Sequence, residues 1–189
     1  MKIFNLFGQK KYNSPVYFLY ANIVTQARNE YFYTLYGVPD TIIGRFDLIT
    51  MHMYIVLRRL KEIGEDGVEL SQSLFDIMFA DMDKNIREMG VGDLSVGKKV
   101  KTLATAFYGR IKAYDKGISD LKDDSLSHCL RRNLFSEAKP KDEQVSAIRN
   151  YFTREINASK NWSFTDIETN NITFGEVFKK NLVVIKNEK

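Results

Sequence analysis

Cysteine and histidine are scarce in this chain of 189 residues, which holds one cysteine and two histidines. Because a disulfide needs two cysteines, no intrachain disulfide can form, and the composition fits a reducing compartment. Cys129, His52 and His128 cannot supply the four cysteine or histidine ligands of a structural zinc site. We therefore expect neither a metal site nor a cofactor.

Long apolar runs are also missing. The most apolar run, at residues 16–21, is six residues long, whereas a membrane-spanning helix needs about 20. The first residues lack the apolar stretch and the small-residue cleavage site of a secretory signal peptide. We expect a cytoplasmic or already processed protein, with no transmembrane segment or signal peptide.

The charge is only mildly unbalanced, with a net value of +4 and no block of five or six like charges. This balance fits an ordinary soluble protein, and it also permits contact with ribosomal RNA or an anionic membrane surface. We expect no binding to DNA.

Proline and glycine are rare enough to mark the ends of helices. Pro15 follows Ser14, as expected where a helix begins, and Gly37 offers a left-handed stop. Pro39 and Pro140 are predicted to open two further helices. Between these positions apolar residues recur at steps of three and four, which predicts helices over residues 14–36, 39–64, 71–89, 93–118, 125–137 and 140–159.

The last part of the chain is less regular. After residue 161 turn-forming residues alternate with isolated aromatics, so we expect loops and one short helix, with residues 182–185 as a short strand or docked tail. The whole predicts an all-α, single-domain bundle of about six helices. We expect a tail at 1–13, a helical domain at 14–160 and an irregular segment at 161–189.

A partial phosphate-binding motif lies at residues 92–98. It matches the first seven positions of a P-loop, but Lys99 stands where a serine or threonine should reach Mg²⁺. A P-loop also follows a strand, and the preceding segment is predicted to be helical. We read the motif as a glycine break followed by a capped helix.

The polar residues give no acid–base pair for catalysis. Asp81 and Asp83 diverge on a helix, so they cannot share a role; Asp83 and Arg87 are four apart and predict an exposed ion pair. Asp81 could contact a neighbouring helix or a partner. His52 is predicted to be a hydrogen-bonded residue at the edge of an apolar stripe. We expect that the protein is not an enzyme.

Two aromatic features indicate surfaces for other groups. The first helix has more tyrosine and phenylalanine than one face can bury, so some must face solvent or a partner. Gly109, next to Tyr108, costs about 1 kcal/mol inside a helix. Such a cost predicts close approach by another helix or by a ligand.

Three blocks of sequence together resemble the ubiquinol–cytochrome c chaperone family, in the style of its alphaproteobacterial members. They are FDLITMHMYIVLRRLK at 46–61, FADMDKNIREMGVGDLSVGK at 79–98, and the stretch at 101–114 that contains AFYGR. The likeness is close over residues 14–114 and loose elsewhere. It implies a helical assembly factor of the cytochrome bc1 complex that binds newly made cytochrome b and catalyses no known reaction.

The resemblance also implies candidate partner-binding residues inside the matched blocks. They are Asp47, His52, Arg58, Arg59, Asp81, Asp83, Arg87, Asp93, Lys98, Tyr108 and Arg110. The implied partners are cytochrome b, the ribosome exit region and the membrane surface, and the implied location is the cytoplasm, peripheral to the inner membrane. Neither the oligomeric state nor the client-binding face follows from the sequence.

Two other functions stay open. The chain could bind haem or quinone in an aromatic-lined helical pocket, or it could be a basic helical module associated with ribosomes or RNA. Methionines at 51, 53, 78, 82 and 89 could line an adaptable apolar surface, although filling the core is their default role.

Overall fold

The computed structural model describes residues 14–120 and 124–178. These residues contain helices and no strand, which confirms the all-α class. The helices are α1 Ser14–Ala27, α2 Tyr31–Thr34, α3 Ile42–Ile63, α4 Asp66–Glu88, α5 Asp93–Ser119, α6 Ser125–Leu134, α7 Asp142–Ser159 and α8 Phe164–Glu168. The predicted tail at 1–13 and the predicted strand or tail at 182–185 lie outside the described residues.

α3 is the central helix of the bundle. It contacts all the long helices, α1, α4, α5, α6 and α7, as well as α8. Its middle is buried on every side, including Met51, Met53 and Tyr54, as expected of a helix that is apolar all round. The default reading of these methionines as core residues is thus confirmed, whereas Met89 is half exposed.

The predicted single helix at 14–36 is wrong, because the chain breaks between α1 and α2. Asn29 Oδ1 accepts a hydrogen bond from the Tyr31 backbone N–H at 3.1 Å. Such a local bond competes with continuation of the helix. Gly37 does take a left-handed conformation, with φ of 72°, so the predicted stop is confirmed.

Several other helix ends differ from the prediction. α3 begins at Ile42 rather than at Pro39, because Thr41 Oγ1 caps it by accepting from the Gly44 N–H at 3.1 Å. α4 begins at Asp66, five residues earlier than predicted, and Asp66 lies in its first turn, where a negative charge is stabilising. α6 ends at Leu134, and α7 begins at Asp142, two residues after Pro140.

Residues 162–178 fold back onto the bundle. They contain the short helix α8, as predicted, and the side chains of Ile167, Ile172, Phe174 and Val177 are buried. Arg59 Nε donates to the Trp162 carbonyl oxygen at 2.8 Å, which ties this segment to α3.

Two negative findings concern the described residues. The partial P-loop at 92–98 follows the helix α4 rather than a strand, so it has no phosphate-binding scaffold. Among residues 14–120 and 124–178, no helix is long and apolar enough to cross a bilayer.

Candidate functional site

A concave apolar surface opens where α3, α4 and α5 meet, beside the turn that joins α3 to α4. Its volume is about 580 Å³, within the size range of ligand pockets. We call this surface the apolar groove, and its apolar lining comes from Leu57, Leu60, Val68, Phe75, Tyr108 and Ile111.

Glycines shape one end of the apolar groove. Gly64 ends α3 with φ of 104°, a conformation that favours glycine. A Cβ atom at Gly67 would lie 2.2 Å from the Leu60 carbonyl oxygen. The two helices therefore approach each other closely at their joint, and the side chains beyond it are left uncovered.

Aromatic rings form the wall between α4 and α5. The ring centroids of Phe75 and Phe107 are 5.7 Å apart, and those of Phe75 and Tyr108 are 5.5 Å apart. Tyr108 is 59% exposed and Val68, at the other side, is 67% exposed. Exposed apolar and aromatic side chains around a concavity are typical of a site for another molecule.

The expected helix contact at Gly109 is wrong. A Cβ atom added there would meet nothing within 4 Å, so no neighbouring helix requires glycine at this position. Gly109 does not line the apolar groove, although its neighbour Tyr108 does.

The ionisable side chains that line the apolar groove are Lys61, Glu65 and Tyr108. Lys61 and Glu65 stand on the polar rim together with Gln72. This arrangement can hold an apolar segment and hydrogen-bond its edges. It does not bring together a nucleophile, a base and an orienting group.

Two of the candidate residues, Asp47 and Arg110, form an ion pair inside the bundle. Arg110 Nε lies 2.5 Å from Asp47 Oδ1, and Asp47 is 1% exposed. The Arg110 guanidinium also lies over the Phe46 ring at 5.3 Å. Burial raises the pKa of Asp47 to about 6, although Arg110 opposes that shift.

Polar atoms around this pair lack hydrogen bonds. Within the described residues, neither Asp47 oxygen has a well-aligned donor, and the hydroxyls of Thr50 and Tyr114 have no partner. Such groups carry a desolvation cost. Burial, followed by the Asp47 charge, raises the pKa of Tyr114.

His52 is fully buried, so its predicted position at the edge of the stripe is wrong, while its predicted hydrogen bonding is confirmed. Nδ1 lies 2.8 Å from the Leu48 carbonyl oxygen, and Nε2 lies 2.8 Å from the Tyr151 hydroxyl. Burial lowers the pKa of His52 to about 4. The imidazole is therefore neutral near pH 7 and joins α3 to α7.

Three further candidates hold elements of the fold together. Arg58 Nη1 lies 3.8 Å from Asp115 Oδ1 on α5, and Arg59 binds the Trp162 carbonyl oxygen as described above. Asp81 accepts from the Tyr20 hydroxyl at 2.9 Å. Asp81 thus contacts a neighbouring helix, one of the two roles predicted for it.

The remaining candidates are exposed. Arg87 Nε lies 2.6 Å from Asp83 Oδ2, which confirms the predicted ion pair, and Arg87 Nη1 lies 2.5 Å from Asp93 Oδ1. Lys98 is also exposed. The structure therefore does not bring the candidates into one site: six are buried or pack between helices, four lie near the α4–α5 turn, and Tyr108 lines the apolar groove.

Sequence reasoning missed Val68 and Leu57 as surface residues of the apolar groove. Val68 stands between Gly67 and Glu69, outside the apolar stripe of its helix. An apolar residue off the stripe was the available signal. Leu57 gives no such signal, because its position depends on how α5 crosses α3.

Fold and site together define an all-helical protein with a concave apolar surface. A family model described as ubiquinol-cytochrome C chaperone matches residues 34–174. Since the match covers well over half of the chain, the protein belongs to the ubiquinol–cytochrome c chaperone family. This family is one of assembly chaperones and not of enzymes.

Individual relatives agree with this assignment. The chain is 27% identical over 139 residues to the ubiquinol-cytochrome c reductase complex assembly factor 1 of Mus musculus, covering 73% of this chain and 46% of that protein. It is 24% identical over 143 residues to the factor of the same name from Drosophila melanogaster, covering 72% and 54% respectively. The chain thus spans about half the length of these relatives.

A solved structure is similar as well. The crystal structure of the Cbp3 homolog from Brucella abortus superposes with a TM-score of 0.75 at 30% identity. The alignment covers 86% of this chain and 89% of the other.

Proposed function

We propose that this protein binds unassembled cytochrome b and promotes assembly of the cytochrome bc1 complex, and that the apolar groove receives the client. The family and the names of the relatives support the assembly role. The observation that carries the binding proposal is the exposure of Val68 and Tyr108 around a concave apolar surface.

The dimensions of the groove support a helical client. Cytochrome b is a membrane protein whose apolar helices must be shielded until they are inserted and assembled. An amphipathic or apolar helix can place two or three side chains into a groove of about 580 Å³. Tyr108 would serve as an anchor, because tyrosine combines a large apolar ring with a hydroxyl that stays hydrated.

A small groove also fits transient holding. Burying a few apolar side chains gives modest affinity, so the client can leave when its permanent partners arrive. Asp47 and His52, whose pKa values are shifted by burial, are held by partners inside the bundle. We infer that the protein acts by binding alone, without catalysis.

We further infer that the protein works in the cytoplasm beside the inner membrane, near the ribosome exit region. Cytochrome b enters the membrane as it is made, so a chaperone that holds it must act close to that surface. The net charge of +4 is compatible with such a place.

The proposal is tested by replacing side chains of the groove in a deletion strain. Val68→Asp and Tyr108→Asp place a charge where an apolar client would bind, which is unfavourable unless the charge is paired. We expect at least a ten-fold loss of cytochrome b in pull-downs and a matching loss of the bc1 complex. Ile42→Asp, at an exposed apolar residue outside the groove, is the matched control.

The deletion strain tests the assembly role, and the groove variants test the binding site. Normal bc1 levels in the deletion strain would contradict the assembly role. Loss of the complex on deletion, with normal cytochrome b recovery in both groove variants, would contradict the groove as the binding site.

A further inference from the structure

The turn between α4 and α5 carries a second apolar surface, and this one protrudes. Leu94, the second residue of α5, is fully exposed, and Met89, just after α4, is half exposed. We call residues 87–101 the α4–α5 tip. Two large apolar side chains on a convex turn cannot enclose a helix, but they can insert into a deformable surface such as a lipid bilayer.

The α4–α5 tip is folded rather than loose. Ile86 and Val96 are buried on its two sides. Gly90 has φ of 79°, which lets the chain reverse directly after α4. The exposure of Leu94 is therefore fixed by the backbone, since it lies two residues before the buried Val96 on a helix.

Three lysines follow Leu94 along α5. Lys98, Lys99 and Lys101 are exposed in the first three turns of α5. Within the described residues none of these three lysines forms an ion pair. The two carboxylates of the tip, Glu88 and Asp93, are paired with Lys84 and Arg87. Three unpaired positive charges next to exposed leucine and methionine match a surface that is negative outside and apolar beneath.

We propose that the α4–α5 tip docks onto an anionic phospholipid bilayer. Leu94 and Met89 enter the boundary between headgroups and acyl chains, while the three lysines contact lipid phosphates. Interfacial binding of this kind adds apolar burial to attraction between lysines and anionic lipids. An acidic protein would satisfy the lysines but gives no reason for a fully exposed leucine one helical turn before them.

The site differs from the apolar groove and does not depend on the client. The groove is concave, lies beside the α3–α4 turn and contains aromatic rings. The α4–α5 tip is convex and lies at the opposite end of α4. The two surfaces could therefore be occupied together, with the bilayer at one end and an apolar helix at the other.

The test is flotation of the full chain with vesicles of phosphatidylcholine alone or with about one-third phosphatidylglycerol. We expect binding to the anionic vesicles that is at least ten-fold stronger than to the neutral ones. Changing Lys98, Lys99 and Lys101 to Gln should weaken it more than ten-fold, since each lysine contributes about five-fold. Leu94→Ser should weaken it about ten-fold through lost apolar burial.

A matched control loses the same charge elsewhere. Lys112, Lys116 and Lys160 are exposed and lie outside the tip, so changing all three to Gln should weaken binding less than three-fold. In Leu94→Trp, emission should shift to shorter wavelength with anionic vesicles and stay unchanged with neutral ones.

Three results would overturn the proposal. They are no flotation with anionic vesicles, equal losses in the two lysine variants, and full binding by Leu94→Ser. The last would indicate attraction to acidic surfaces in general, including acidic proteins, without insertion. Cytochrome b pull-downs in detergent report on the groove separately, so either proposal can fail while the other stands.

Discussion

The centre of the bundle holds a few polar residues, and its surface holds a few large apolar ones. Asp47, His52 and Arg110 lie inside, with Asp47 and His52 at 1% and 0% exposure. Leu94 and Tyr108 lie outside, fully and 59% exposed. These buried polar residues make contacts within the fold, while the surfaces that we propose for binding are largely apolar.

This difference separates stability from binding. Changes at the polar centre should alter the free energy of unfolding, and changes at the apolar surfaces should alter binding while leaving stability intact. Variants of the two regions test that separation, from the largest expected effect on stability to the smallest.

Removing one member of the buried ion pair should have the largest effect. Arg110→Met leaves the Asp47 carboxylate buried without its cation, and should cost about 3–5 kcal/mol in urea unfolding. Asp47→Leu should cost less, because Arg110 is 16% exposed and can turn towards solvent. The double variant should recover most of the loss. Wild-type stability in Arg110→Met would contradict a structural role for the pair.

Asp47 and His52 should give the stability of the protein opposite pH dependences. The pKa of Asp47 is raised from 3.8 to about 6, so its stabilising contribution is full below pH 3.8 and is lost as pH rises through 6. The pKa of His52 is lowered from 6.5 to about 4, so its contribution is full above pH 6.5 and is lost as pH falls through 4. Between pH 4 and 6 the two should nearly cancel.

A variant that removes one of these two groups should show the pH dependence of stability that the other group causes. Asp47→Asn leaves His52, so the free energy of unfolding should rise by about 3 kcal/mol from pH 4 to 6.5. His52→Gln leaves Asp47, and the same range should bring a fall of about 3 kcal/mol. Chemical unfolding across this range measures both. Parallel curves for the two variants would rule out this account of the centre.

Two glycines next to the apolar groove should respond in opposite ways. Gly67→Ala would place a Cβ 2.2 Å from the Leu60 carbonyl oxygen, and we expect it to destabilise by about 2 kcal/mol. Gly109→Ala meets nothing within 4 Å, so it should stabilise by up to about 1 kcal/mol through helix propensity. Thermal unfolding measures the effect of each variant on stability. Destabilisation by Gly109→Ala would indicate a close contact at that position that the structure does not show.

Substitutions of the exposed apolar residues should have the smallest effect on stability. Leu94→Ser and Tyr108→Ser should change the free energy of unfolding by no more than about 0.5 kcal/mol, as is usual at the surface. Their expected losses are in vesicle binding and cytochrome b binding respectively. A loss of several kcal/mol in either variant would mean that its side chain supports the fold.

The fold was largely predictable because its helices have strong apolar periodicity. The stripe from Ile42 to Leu60 fixes the central helix, and Gly64 fixes its end. The break at Asn29 was not predictable, because one side-chain hydrogen bond decides between continuing and stopping the helix. Helix starts after Pro39 and Pro140 were misplaced by two or three residues, since the capping residue lies beyond the proline.

The candidate site was much less predictable. Periodicity places His52 beside an apolar stripe, but it cannot show that α1, α7 and α8 cover the polar side of α3 as well. The apolar groove depends on how closely α3 and α4 meet at Gly67, a three-dimensional relation with no local signature. The candidates taken from the matched blocks therefore include Tyr108 of the groove lining but neither Val68 nor Leu57.

The most direct test is site-specific photocrosslinking during synthesis of cytochrome b. A photoreactive residue would replace Val68 or Tyr108 in the apolar groove, and Leu35 or Ile42, exposed apolar residues elsewhere, as controls. We predict strong adducts with cytochrome b from both groove positions and weak or no adducts from the controls. Equal adducts from all four positions, or adducts from the controls alone, would contradict the claim that the client binds in the groove.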